Sequence, residues 1–365
     1  MAHYQTDRVY QLTPPTAPQT ISFAASSQQS GLAGQSVPIT LTVTDGVGRP
    51  IPQAPVTFEA NPPDAASFAP VTVMTDQTGK ASTIATLGWS AGSVVITARV
   101  LGLAAASLPL TIQAGAQIAN NGIAGAGLSS PPVTALSPNG LVSIFGTGFA
   151  PAGTSKQVGQ ADLVNGLLPT NLSGTCVLIG SSHAYMLYVS PNQINLQVPD
   201  LMGSTANLQV VRNCGTSEQA PSAPISISLQ AATPEFFYLS HHTSGTNQVA
   251  AFDAVTGVAI GTSNPARSGD IISLYGTGFG LTNPMVNAGV LPRPPLSLAN
   301  PIHISIGEVE LDPSDVLYSG LSSFAGVYQL NIRVPSKVPA GNQPIVVTLA
   351  GIASPPNAVI AISSR

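Results

Sequence analysis

A chain of 365 residues with 44% hydrophobic and only 7% charged side chains is long enough for two or three domains and too apolar for a disordered polymer. Its 11 Lys and Arg are scattered singly and its net charge is −4, which excludes a nucleic-acid surface built on a basic stripe. Charge far below the roughly 25% of ordinary soluble domains, with 35 Gly and 33 Pro, suits short strands and many turns wetted by hydroxyls and amides.

The first residues, Met1-Ala-His-Tyr-Gln-Thr-Asp-Arg8, lack the charged start and apolar stretch of a signal peptide, while the composition reads as secreted. The expectation is an extracellular protein whose leader lies outside this sequence. No apolar run approaches the ~20 residues of a membrane-spanning helix. Residues 1–18 carry Pro14, Pro15 and Pro18 and read as an arm. Within it, Arg8-Val-Tyr-Gln-Leu-Thr13 alternates weakly, with Tyr10 and Leu12 on one side. Self-assembly by pairing of this segment with an open sheet edge of a neighbouring subunit is one reading; a frayed extension, or an arm folded back on the first domain, is the other.

From Ile21 to about residue 113 the pattern is strand after strand. Val37-Pro-Ile-Thr-Leu-Thr-Val-Thr-Asp45 alternates strictly, as a half-buried strand does. Ala54–Glu59, Val71–Thr75, Ala81–Thr86, Val94–Val100 and Leu108–Ile112 follow, with Gly46, Gly48, Pro50 and Asp76-Gln-Thr-Gly79 marking turns. Seven or so short strands at this spacing predict a β-sandwich over residues 19–113. The elements Leu41-Thr-Val-Thr-Asp-Gly-Val-Gly-Arg-Pro50, Pro55-Val-Thr-Phe58, Thr75-Asp-Gln-Thr-Gly-Lys-Ala81 and Ala91-Gly-Ser-Val-Val-Ile-Thr-Ala98 resemble bacterial Ig-like domains of the invasin and intimin type. That resemblance implies a sandwich used in strings on bacterial surfaces, with no catalytic residues to carry over.

Ala114–Pro132 is small, Gly-rich and uncharged, and reads as a linker. Beyond it the chain repeats itself. Ser143-Ile-Phe-Gly-Thr-Gly-Phe149 returns as Ser273-Leu-Tyr-Gly-Thr-Gly-Phe279, and Gln193-Ile-Asn-Leu-Gln-Val-Pro199 as Gln329-Leu-Asn-Ile-Arg-Val-Pro335. Two motifs in the same order predict a duplicated domain over 133–229 and 234–365, hence an all-β chain of three tandem Ig-like sandwiches. The Gly-x-Gly-Phe corner and the strand ending in Val-Pro resemble IPT/TIG Ig-like domains. The pair is more similar still to a C-terminal module of large acidobacterial secreted proteins, a family without assigned activity.

In Gly-Thr-Gly-Phe both glycines are expected at positive φ, with Phe145, Phe149, Tyr275 and Phe279 in the core. A phosphate loop is excluded because no helix pattern or Lys-Ser/Thr follows. Gln193, Asn195 and Gln197 share one strand face. They either line a solvated face or hydrogen-bond across a seam between domains.

Cys176 and Cys214, both in the first copy, are expected to form a disulfide, with two buried free thiols as the alternative. Further Cys or His at zinc spacing is missing. The histidines His3, His183, His241, His242 and His303 show no metal spacing, and no cofactor motif is present. The densest acidic stretch, Glu308, Glu310, Asp312 and Asp315, reads as a solvated turn, with calcium as the sharper alternative. There is no Gly-x-Ser-x-Gly elbow and no His-Glu-x-x-His pattern. Phe236, Phe237 and Tyr238 form the densest aromatic cluster, either packed against the preceding repeat or presented as a carbohydrate-stacking platform. Together these features predict a non-enzymatic extracellular structural or adhesive protein, with a surface glycan or protein as partner. The alternative is a carbohydrate-binding region of a secreted polysaccharide-active protein.

Overall fold

The structure, a computed structural model, describes residues 17–25, 27, 29–239 and 245–364. Among these residues there is no α-helix; short strands and three 3-10 turns make up the regular structure. The chain divides into two compact units after Ala114.

In the first unit two sheets face each other. One is ordered Thr20–Phe23, Ser36–Thr44, Lys80–Leu87, Ala66–Ala69; the other Ser30–Leu32, Ala106–Gln113, Gly92–Arg99, Pro55–Asn61, Thr72–Met74. Alternation dictates the core. Val37, Ile39, Leu41 and Val43 point inward and are fully buried, and Phe58 meets Phe68 at 5.9 Å between ring centres. The turns are set by local chemistry. Asp76 Oδ1 accepts from Thr78 N–H, Thr78 Oγ1 and Lys80 N–H at 2.7, 2.7 and 3.0 Å. Gly79 then turns at φ +73°, where a Cβ would lie 2.6 Å from Val43 O.

The second unit holds two further sandwiches of one topology. In the first, Leu141–Thr147 pairs with Gln193–Gln197, which pairs with Tyr185–Val189; in the second, Ile271–Thr277 pairs with Tyr328–Arg333, which pairs with Val316–Leu321. The register is the same: Phe145 opposes Gln193 as Tyr275 opposes Gln329, and Ser143 opposes Asn195 as Ser273 opposes Asn331. The facing sheets agree too. Thr175–Ile179, Thr205–Arg212 and Ile225–Ser228 correspond to Ile302–Ile306, Gly341–Leu349 and Ala358–Ile362. Even the isolated parallel bridge Leu136–Leu229 recurs as Ala266–Ile362.

Three expectations are corrected. The expected linker 114–132 is largely structured: Gln117–Gly125 is a strand paired antiparallel with Leu141–Thr147. Its composition of Gly, Asn and Ala hides this, because the pairing partner rather than propensity makes the strand. Of the corner glycines, Gly148 and Gly278 have positive φ, +69° and +73°. Gly146 and Gly276 do not; a Cβ there would lie 2.0 Å from Gln117 O and 2.4 Å from Glu235 O, so they serve close backbone approach. Phe149 and Phe279 are core residues, whereas Phe145 and Tyr275 are half-buried on the outer face. The strand period forces this, since Ile144 and Leu274 take the inward positions.

Candidate functional site

Chemistry-bearing side chains of the second unit converge at a polar seam between the duplicated sandwiches, and the first of these also has a sheet edge, at Ile225–Ser226, that no strand among the described residues extends. At the seam Gln197 uses both ends of its amide, one across to the second sandwich and one within its own. Its Oε1 accepts from Gly289 N–H at 2.8 Å, and its Nε2 donates to Asn139 Oδ1 at 3.1 Å. Asn139 Nδ2 donates to Val286 O at 3.2 Å, and Asp200 Oδ2 accepts from Ala288 N–H at 3.3 Å. Leu168 N–H donates to Gly289 O at 2.8 Å, and the Tyr185 ring lies where a Cβ of Gly289 would fall. Gln197 therefore takes the inter-domain role. Gln193 and Asn195 stay within their own sheet: Asn195 Oδ1 accepts from Ser143 Oγ at 3.1 Å and from Gln193 Nε2 at 2.9 Å. The second copy repeats that arrangement with Asn331, Ser273 and Gln329 at 2.9 and 2.9 Å.

Glu235 closes the seam from the other side. Fully buried, its carboxylate accepts from Gly127 N–H at 3.0 Å and Ser129 N–H at 2.9 Å, beside Thr277 Oγ1, which accepts from Leu141 N–H at 2.8 Å. A Cβ on Gly125 would lie 2.0 Å from Glu235 Oε2, so small residues in this loop are what let the carboxylate in. Sequence reasoning passed over Glu235; its signal was a lone acid embedded in an aromatic run.

The aromatic cluster is divided by the fold. Phe236 is a core residue, edge-on to Phe279 at 6.3 Å, which corrects its reading as a surface platform. Strand direction is the reason, because Phe236 opposes Gly276 with its side chain between the sheets. Phe237 is half-buried and its N–H donates to Tyr275 O. Tyr238 packs against the core, and burial, then the nearby Glu235 carboxylate, pushes its phenol well above the usual range. Tyr10 and Leu12 lie outside the described residues, as do His3, His241 and His242.

Cys176 and Cys214 are bonded, with Cα atoms 5.8 Å apart. The fold brings His183 to them, all three potential ligand atoms lying within 4.8 Å of one another. Both sulfurs are spent on the bond, so this trio offers a cation a single imidazole. The acidic stretch is engaged piecemeal: Glu310 with His303 at 3.0 Å, Asp315 with Arg333 at 3.5 Å, and Asp312 Oδ1 accepting from Ser314 N–H and Oγ at 2.9 and 2.7 Å.

The open edge arises from a length difference between the copies. Ile118 opposes Gly146 and Ile123 opposes Ile144, leaving residues 119–122 as a short bulge. In the second copy Phe236 opposes Gly276 and Ala251 opposes Leu274, so the stretch of sequence between the two pairs is longer. The longer segment contains Asn247–Gln248, which pairs in parallel with Ala358–Val359. Its first-copy counterpart is too short to do so. A cleft of about 250 Å³ remains there, lined by Ala119, Asn121, Ile123, Thr134, Ile225 and Ser226 among others.

Residues 17–113 match the bacterial Ig-like domain (group 1) family. Among solved structures, the chain is similar to the crystal structure of invasin, a bacterial integrin-binding protein (13% identity, 92% of this chain and 58% of that one, TM-score 0.25). It is also similar to FdeC, an adhesin of Escherichia coli (13% identity, 94% and 96%, TM-score 0.20). A glycosyl hydrolase family 2 protein from Bacteroides cellulosilyticus matches at 22% identity over 27% of this chain, which spans only 14% of that protein (TM-score 0.23). Likeness of this degree concerns the sandwich alone. No curated protein matches the chain in sequence.

Proposed function

We propose that the protein is a non-enzymatic structural or adhesive component of the bacterial cell exterior, a stalk segment or a subunit of an extracellular assembly. The observation that carries this reading is the match of residues 17–113 to a bacterial Ig-like family. Support comes from how polar groups are used: Glu235, Gln197, Asn139 and Asp200 all brace the two repeats. Self-assembly of copies through the arm, residues 1–18, belongs to this proposal. Antibody labelling of intact producing cells, lost on external protease treatment, is the expected result. Label found only after lysis would overturn the surface reading. For the arm, light scattering of the full chain should show oligomers that Leu12→Asp disperses.

A second reading, glycan binding, is favoured by Trp89, 43% exposed in the first unit beside a cleft lined by Pro62, Asp64 and Gly92. An indole at a cleft wall is a stacking surface for a sugar ring. Affinity electrophoresis in plant and bacterial polysaccharides would show retardation that Trp89→Ala abolishes; unretarded migration in all of them removes this reading.

A further inference from the structure

We propose that Cys176, Cys214 and His183 form a redox-gated zinc site, closed while the two sulfurs are bonded to each other and opened when a small-molecule thiol reduces them. Among the described residues this is the one place where three metal-ligating side chains converge, their ligand atoms within 4.8 Å of one another. The sheet, and not the disulfide alone, holds them there. Cys176 lies on Thr175–Ile179, opposite Val211 of Thr205–Arg212. His183 belongs to the short strand Ser182–His183 that turns back on the same strand. It stands opposite Leu178, two residues from Cys176 and hence on the same face. Cys214 is anchored through its main chain. Its N–H donates to Gly174 O at 3.0 Å, its carbonyl accepts from Asn171 Nδ2 at 2.9 Å, and Asn171 Oδ1 accepts from Gly174 N–H at 3.0 Å. None of these bonds uses a sulfur, so the three backbones keep their places when the sulfurs part.

Two thiolates and a neutral imidazole, with a fourth tetrahedral position left to water, are a donor set that zinc accepts. Zn–S bonds of about 2.3 Å in that geometry set the sulfurs about 3.8 Å apart. Cα atoms 5.8 Å apart leave room for this by side-chain rotation. Burial divides the roles in the opening step. Cys176 is buried, Cys214 half-buried and His183 exposed, so a small thiolate reaches Cys214 Sγ first. It forms a mixed disulfide with Cys214 as the protein S–S bond breaks and Cys176 leaves as thiolate. A second small thiolate attacks the outer sulfur of that mixed disulfide, releasing Cys214 and giving the oxidised small-molecule disulfide. Two electrons pass from the pair of small thiols to the protein, and their two protons go to the freed cysteines. Zinc then binds both sulfurs and the imidazole, displacing those two protons to solvent. The cation spans Cys176 and Cys214, so coordination remakes the cross-link that reduction breaks.

The test uses the full-length chain, reduced with dithiothreitol under argon, freed of it by gel filtration and titrated with Co2+. Cobalt occupies tetrahedral zinc sites and reports thiolate ligands as a near-ultraviolet charge-transfer band. The band should saturate at a single equivalent per chain, vanish when Zn2+ is added, and be missing from the oxidised chain. His183→Ala should weaken cobalt binding by at least roughly tenfold, the loss that even an outer partner of a metal ligand carries. His303→Ala is the control, since that imidazole pairs with Glu310, and it should bind as the wild type does. Zinc should also return the melting temperature of the reduced chain toward that of the oxidised one. A reduced chain without the cobalt band overturns the site. A band as tight in His183→Ala as in the wild type also overturns it, leaving a chelate of two thiols alone. If reduction unfolds the first repeat, zinc must restore the circular dichroism of the oxidised chain, and failure to do so overturns the proposal as well.

Discussion

Gln197 and Gly289, 92 residues apart in sequence, are joined by a 2.8 Å hydrogen bond that crosses from one sandwich to its duplicate. The corresponding position of the second copy is Arg333, which pairs with Asp315 instead. One side chain thus distinguishes the copy that must brace a successor from the copy that follows it.

Replacing Gln197 by Ala should leave Gly289 N–H buried without its acceptor, at a cost of about 1–3 kcal/mol. Hydrogen exchange at residues 286–290 should speed up, and the thermal transition of the second unit should move down. An unchanged exchange rate at Gly289 would show that the bond contributes nothing.

Glu235→Ala removes the acceptor of both Gly127 and Ser129 N–H groups in a fully buried site, an expected loss of about 2–5 kcal/mol. Glu235→Gln keeps one carbonyl oxygen and should cost less. Denaturant titration of the two variants checks the order; equal losses would refute it.

Gly146→Ala and Gly276→Ala should each destabilise by about 1–3 kcal/mol or more, because the new methyl meets backbone at 2.0 and 2.4 Å. Gly261→Ala, which enters open space, is the control and should be near neutral. Melting temperatures of the three, measured side by side, decide the matter.

Cys176→Ala with Cys214→Ala opens a 38-residue loop, for which the chain-entropy model gives about 4 kcal/mol. Calorimetry should show the second unit melting lower and the first unit unaffected.

The Asp76 carboxyl is held below its ordinary value by hydrogen bonds from Thr78 Oγ1, Lys80 N–H and Thr78 N–H. A lowered folded value means the turn's contribution is complete above the unfolded pKa of about 3.9 and is lost as pH falls through the folded one. Acid titration of the wild type should therefore lose more stability below about pH 4 than Asp76→Asn does. Parallel acid curves for the two proteins would refute this.

Much of the fold was legible because alternation carries it. Val37–Asp45 could be placed from its pattern alone, and the twin motifs lie on corresponding strands of the two repeats. Gln117–Gly125 was illegible, since its Gly, Asn and Ala carry no period and its strand character comes from Leu141–Thr147. Gln197 was half-legible: the Gln-x-Asn-x-Gln spacing gave a face, though not what that face met. Glu235 was hidden, because burial of an acid follows from donors that residues 127 and 129 supply from another part of the chain. The open edge shows only when 119–122 is set beside 237–250.

The Ser143–Asn195–Gln193 cluster and its twin Ser273–Asn331–Gln329 give the molecule an internal standard. A substitution of Asn195 can be gauged against the same substitution of Asn331 in one polypeptide, at one temperature and one solvent composition. Any difference between the two then belongs to the neighbourhood, the braced seam on one side and the chain's closing sandwich on the other, and not to the side chain itself.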